Sequence, residues 1–343
     1  MLVLIPVMVL FPVSSIFAHS PIFPGENHDI ANAFQIENPS KSWVIYSTLE
    51  HHDKGDYYKF VVPKGERIYI SLMTSEDPAT SGFLPSFALM VPDSDEKGNL
   101  PPFIEVPDGY GIITVNGEDP GEAYYEPFTP GWLYELASIS IDAPVDGTYY
   151  IVVYDSSQNT GNYGLPVGYV ESFTIGEWIA IPITVQSTYI WEGQNIFIIY
   201  LPLILTIIIG GIILYFRSKK GRVPKGVSKW LAAFAGLAFI GTSLGLFYQM
   251  ILAMTVTGFA AEAVITIIIA IIGIVLAIPS LLYAVREKPA LTVGRRIGLA
   301  ITGVFALFAW SGFFLGPALA VLAAVVPPYK TIKKWKDQAT IEN

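Results

Sequence analysis

The chain has 343 residues, of which 52% are apolar, with a mean hydropathy of +0.50, which excludes an ordinary soluble domain and points to membrane spans. Its net charge of −9 conceals two opposite halves: 25 Asp and Glu against 6 Lys and Arg in residues 19–195, then 14 Lys and Arg against 4 acids from residue 196 onward. The acidic half makes nucleic acid a poor partner, and the absence of cysteine excludes disulfides, thiolate catalysis and Fe–S centres.

Residues 1–18 (MLVLIPVMVLFPVSSIFA) read as a signal peptide cut after Ala18. An uncleaved N-terminal anchor is the alternative, opposed by Pro6 and Pro12. Residues 19–170 then show short alternating runs separated by Pro, Gly and Asp, which predicts an exported β-sandwich. Ile68, Ile70 and Leu72 fall on one face of a strand, with Tyr69 and Ser71 on the other. Thr148–Tyr154 (TYYIVVY) is apolar on both faces, as a central strand would be.

Three groups in this domain could carry chemistry. All four histidines lie early: His19, His28, His51 and His52. Cleavage after Ala18 would make His19 the mature N-terminus, whose amine and imidazole could hold copper with a second histidine. Asp93 and Asp95 begin a D-x-D turn with Gly98 at the sixth place. Lys97 and Ile104 occupy ligand positions, so an EF-hand fails and a looser calcium site is the remaining cation reading. Tyr124, Tyr125, Glu126, Phe128, Trp132 and Tyr134 combine aromatic faces with carboxylates, the ingredients of a surface for a glycan or a protein partner. Each has a plainer reading: loop histidines, a solvated acidic turn, and a loop folded over the sandwich.

Residues 171–195 predict a juxtamembrane amphipathic helix. Thr174 and Glu177 form a capping box, and Trp178 and Trp191 suit a membrane interface. Four transmembrane helices are expected within 196–326, at about 196–216, 230–250, 263–285 and 297–326. The basic run after the first, with Arg217, Lys219 and Lys220, places that loop inside and the acidic domain outside. The last stretch contains Gly312, Gly316 and Pro317 and reads as one long kinked helix. That places the basic tail, 327–343, on the wrong side, whereas a re-entrant hairpin would keep it inside. The spans contain no Asp, Glu, Lys, Arg or His, which argues against an ion-coupled pump.

The order Gly55-Asp56-Tyr57-Tyr58-Lys59-Phe60-Val61-Val62-Pro63-Lys64-Gly65, then Ala143-Pro144-Val145-Asp146-Gly147-Thr148-Tyr149-Tyr150 and Gly161-Asn162-Tyr163-Gly164, resembles the pre-peptidase C-terminal domain family. The likeness spans about residues 31–168. It implies a jelly-roll-like antiparallel β-sandwich ectodomain, here followed by a transmembrane helical bundle. It also implies an accessory module of secreted proteins, some of which bind polymers or calcium. No phosphate loop, HExxH or nucleophile elbow is present. The expectation is a non-enzymatic, membrane-anchored surface binding, scaffold or sensory protein in contact with lipid and with surface glycans, proteins or membrane subunits. The alternatives are an exported copper-binding protein using His19 and a subunit of a membrane complex or permease.

Overall fold

The structure, a computed structural model, describes residues 19–221, 226–285 and 292–326. The expected signal peptide, the basic residues of 222–225 and 286–291, and the basic tail lie outside them. The chain divides into two compact units. The first comprises residues up to Pro120 together with Glu135–Phe173, and the second comprises Gly121–Tyr134 with the chain from Thr174 on.

Two mixed sheets form a sandwich in the N-terminal part. One runs β1(Ser20–Ile22), β3(Trp43–Leu49), β11(Gly161–Val167), β5(Arg67–Thr74), β9(Gly131–Asp142), β8(Tyr124–Glu126). The other runs β2(Phe34–Gln35), β4(Asp56–Val62), β10(Gly147–Tyr154), β6(Ser86–Pro92), β7(Tyr110–Val115). β10 lies between β4 and β6 as its two-faced apolar sequence requires, and Ile68, Ile70 and Leu72 enter the inter-sheet core with Tyr58, Phe60, Ile151 and Tyr163. The sheets are not wholly antiparallel. The short strands β1 and β2 pair in parallel with β3 and β4, because each reaches its neighbour by a connection of more than a dozen residues and not by a hairpin.

The second unit is helical apart from its hairpin. α2(Ile175–Trp191) opens on the predicted capping box: Thr174 Oγ1 accepts from the Glu177 amide, and the Glu177 carboxylate accepts from the Thr174 amide. The helix is not amphipathic in the expected sense. Ile175, Ile183 and Ile190 face outward, while Thr188 and Tyr189 are buried. Trp191 is also buried, and Trp178 is paired with Trp310, the two indoles each donating to the backbone oxygen of the other's neighbourhood, Phe308 and Trp178.

Three helices are long and apolar enough to cross a membrane: α3(Ile196–Lys219), α4(Val227–Thr257) and α5(Ala263–Val285). α3 turns Leu201, Ile204, Leu205, Ile208 and Ile212 outward and ends on Arg217 and Lys219, with Lys220 at its cap. α4 packs against α3, α5 and the last helix through small residues. A Cβ on Gly236 would strike Leu281, and one on Gly241 would strike Leu203.

The fourth expected span is two helices, α6(Val293–Phe308) and α7(Leu315–Val325). At 1.5 Å per residue they reach about 24 and 16 Å, short of a ~30 Å hydrocarbon layer. They lie side by side: Gly303 of α6 meets the Pro317 carbonyl, and Arg296 donates to the Val325 oxygen at 3.3 Å. The reversal is made by Trp310, Gly312 and Phe313, all at positive φ. Pro317 sits in the first turn of α7, where its missing N–H costs nothing. In place of one long kinked helix, the stretch forms a hairpin of two short helices.

Candidate metal centre

The centre is assembled where strands of the first unit end and begin. β3 stops at Leu49, so Glu50 and His51 follow at its C-terminal end, and β4 begins a few residues on at Asp56. His28 comes from the loop before β2, which is fastened to β4 in both directions. The Tyr57 amide donates to the Asn27 oxygen at 2.7 Å, and Asn27 Nδ2 returns to the Tyr57 oxygen at 3.0 Å. That bracket sets the His28 ring edge-on to His51, with ring centroids 4.6 Å apart. His28, Glu50 and His51 each offer a ligand atom, and all three atoms lie within 4.8 Å of one another. Among the described residues no other group of three has this spacing. Glu50 and His51 are exposed and His28 is half-buried, so an ion can arrive from solvent.

Behind His28 stands a buried carboxylate. Asp56 Oδ1 lies 2.8 Å from His28 Nδ1, and Asp56 Oδ2 accepts from the Tyr163 hydroxyl at 2.6 Å. Because the Tyr163 proton is committed to Asp56, its oxygen accepts from the neighbouring Tyr58 hydroxyl. Burial raises the Asp56 pKa, and the hydrogen bonds from Tyr163 and His28 oppose that rise. With Nδ1–H donated to the carboxylate, the His28 Nε2 lone pair is left available for an ion. This carboxylate–histidine arrangement is the one that orients metal-ligating imidazoles.

The other residues singled out from sequence go elsewhere. His19 Nδ1 is 2.6 Å from Ser42 Oγ, and burial lowers its pKa to about 4; it is not in the cluster. His52 Nδ1 is held by the Gln158 oxygen at 2.6 Å. Asp93 and Asp95 join no group of ligands, and the turn they open is stitched to β7 by the Ile112 amide donating to the Glu96 oxygen. The sequence does not single out Glu50 as a ligand or Asp56 and Tyr163 as supports; the run Glu50-His51-His52 beside Gly55-Asp56 is the available signal.

The aromatic and acidic residues serve the helical unit. β8 and β9 form a hairpin in which Tyr125 faces Trp132, and Tyr125 is buried against Ala253 and Ala263. Its hydroxyl meets Thr266 Oγ1 at 2.7 Å, and Thr266 donates to the Pro127 oxygen at 2.7 Å. Tyr134 is buried and Tyr124 exposed. Glu126 accepts from the Phe128 amide at 3.0 Å. Burial pushes its carboxyl up to about 7, and burial likewise pushes Glu192 up to about 8, with repulsion from Glu126 adding to it.

Both folded values stand above the unfolded carboxylate range, so the folded state holds these protons more tightly. The contribution is therefore present below about pH 4.5 and is lost as pH rises through 7 to 8. The melting temperature of the helical unit, followed by circular dichroism in detergent, should fall between pH 5 and 9. In the Glu126→Gln, Glu192→Gln double variant that slope should flatten; an unchanged slope would sink the assignment.

No family model and no curated protein matches the sequence. Among solved structures, the pre-peptidase C-terminal domain of a collagenase from Bacillus anthracis is 21% identical, covering 39% of this chain and 93% of its own length, with a TM-score of 0.24. CorA of Methylomicrobium album BG8, a surface-associated copper-binding protein, is 12% identical, covering 45% of this chain and 99% of its own, with a TM-score of 0.22. MopE, a secreted copper-binding protein of Methylococcus capsulatus, is 11% identical, covering 34% of this chain and 70% of its own, with a TM-score of 0.17. At these identities and TM-scores none of the three says what this chain binds.

Proposed function

We propose that the chain is a membrane-anchored protein that presents its β-sandwich outside the cell to capture a divalent late first-row transition-metal ion. The carrying observation is the convergence of His28, Glu50 and His51, with His28 oriented by the buried Asp56. Two imidazoles and one carboxylate suit zinc, nickel and copper, and the Irving–Williams order makes Cu²⁺ the tightest of these. Three protein ligands at a solvent-facing edge leave coordination positions open, which suits uptake and release of an ion. The reading is one of binding, without a catalytic step. The exterior location is supported by Arg217, Lys219 and Lys220 at the end of α3 against the strongly acidic N-terminal part.

The test is calorimetric. The full chain in detergent, stripped with a chelator, should take up one equivalent of Cu²⁺ saturably and of Zn²⁺ more weakly. Absence of saturable uptake of either ion refutes the proposal.

A further inference from the structure

Within the helical unit, α2, α3, α4, Ile269 of α5 and the α6–α7 turn line a partly open cavity of about 70 Å³. Its wall is largely apolar, with Phe128, Tyr200, Trp310, Phe313, Leu203 and Leu246 among its members. Three polar atoms at this wall have no hydrogen-bond partner: Gln186 Oε1, Tyr189 OH and Gln249 Oε1. Tyr189 and Gln249 are only 2% and 3% exposed. Buried polar groups left without a partner are costly and uncommon, and a cavity lined by several is a place where something else supplies the bonds.

Gln186 Oε1 and Gln249 Oε1 can only accept, and the Tyr189 hydroxyl can accept as well as donate, so a partner serving all three offers donors. Gln194 Nε2 donates to Glu192 Oε2 at 3.0 Å, and Gln249 Nε2 donates to Gln194 Oε1 at 2.8 Å. With Glu192 Oε2 accepting at the end of this relay, both amides turn their N–H ends toward it, which leaves Gln249 Oε1 as the end without a partner, on a residue that lines the cavity. Gln186 likewise offers an acceptor oxygen. Unpartnered acceptor oxygens beside the aromatic faces of Phe128, Tyr200, Trp310 and Phe313 together describe a site for a cation that can donate hydrogen bonds. The apolar wall gives a bare inorganic ion nothing, but it fits a hydrocarbon body. We infer that this cavity binds a small primary amine in its protonated form, with the ammonium at Gln186, Tyr189 and Gln249 and a short apolar body against the aromatic wall.

The full chain in detergent, in an amine-free buffer, would be titrated calorimetrically with n-butylamine, with n-butanol and NaCl as controls. Butylamine should bind saturably and at least about tenfold more tightly than butanol, a gap of roughly 1.4 kcal/mol, and NaCl should not compete. Two variants have opposite effects on stability and binding. A Cβ at Gly245, on the cavity wall, would meet nothing within 4 Å, so Gly245→Leu should fill the space, raise the melting temperature and abolish binding. Tyr189→Phe removes a hydroxyl that lacks a partner and should likewise raise the melting temperature while weakening binding. Butanol binding as tightly as butylamine, no saturable binding, or unchanged affinity in folded Gly245→Leu protein would each overturn the inference. None of these residues belongs to the metal centre, so failure of either proposal leaves the other standing.

Discussion

The His28→Ala, His51→Ala double variant should lose saturable Cu²⁺ uptake altogether. Removing both imidazoles leaves Glu50 as the single remaining ligand, and one exposed carboxylate does not hold a divalent ion against water. The loss should exceed the roughly 10- to 100-fold effect that an outer partner alone accounts for. His51 is exposed, so His51→Ala by itself should leave the melting temperature unchanged and report on binding alone. His28→Ala also takes a partner from the buried Asp56, and a measurable loss of stability should accompany it. Tyr163→Phe supplies the contrast: it touches no ligand, yet it removes the donor at Asp56 Oδ2. It should cost about 1–3 kcal/mol of stability for the carboxylate left short of a bond, and about 10- to 100-fold in affinity. Equal Cu²⁺ binding by the wild type and the double variant would place the ion elsewhere.

Tyr125→Ala should release the β8–β9 hairpin from the helices at a cost of about 3–5 kcal/mol, the usual range for deleting a buried aromatic side chain. Tyr125 is 5% exposed, packs on Ala253 and Ala263, and meets Thr266 through its hydroxyl. Thr266 keeps its bond to Pro127 in the variant, so the expected loss comes chiefly from packing. Tyr125→Phe isolates the hydroxyl and should cost only about 1 kcal/mol. Denaturant unfolding in mild detergent, followed by far-ultraviolet circular dichroism, separates the two. An alanine variant no weaker than the phenylalanine variant would mean that the ring is not what seats the hairpin.

Local signals survived into the structure where the deciding physics was local. The uncharged runs of α3, α4 and α5 gave three helices of spanning length, and the Thr174–Glu177 pair gave a closed capping box. TYYIVVY gave a central strand. What escaped was non-local. The parallel pairing of β1 and β2 depends on partners far along the chain, and two or three residues carry no periodicity. Tyr125 and Trp132 read as surface aromatics because nothing near them in sequence reveals that their partners are Ala253, Ala263 and Met250. The α6–α7 reversal left one legible trace, the conflict between a spanning helix and a basic tail, and Gly312 with Pro317 marked the place. His28, Glu50 and His51 were visible as residue types, but their meeting is set by the Asn27–Tyr57 bracket, which no spacing rule anticipates.

The hairpin also imposes an order of events during synthesis. Tyr125 and Thr266 are separated by 141 residues, and the helices that receive the hairpin all follow it in the chain. At about 5–20 residues per second, the aromatic tip leaves the ribosome roughly 7 to 28 s before its last contact is made. During that interval Tyr125 and Trp132 are an uncovered apolar surface on a nascent chain, and a chaperone or the translocation machinery has to tolerate it. A chain terminated at Phe173 would remain in that waiting state permanently.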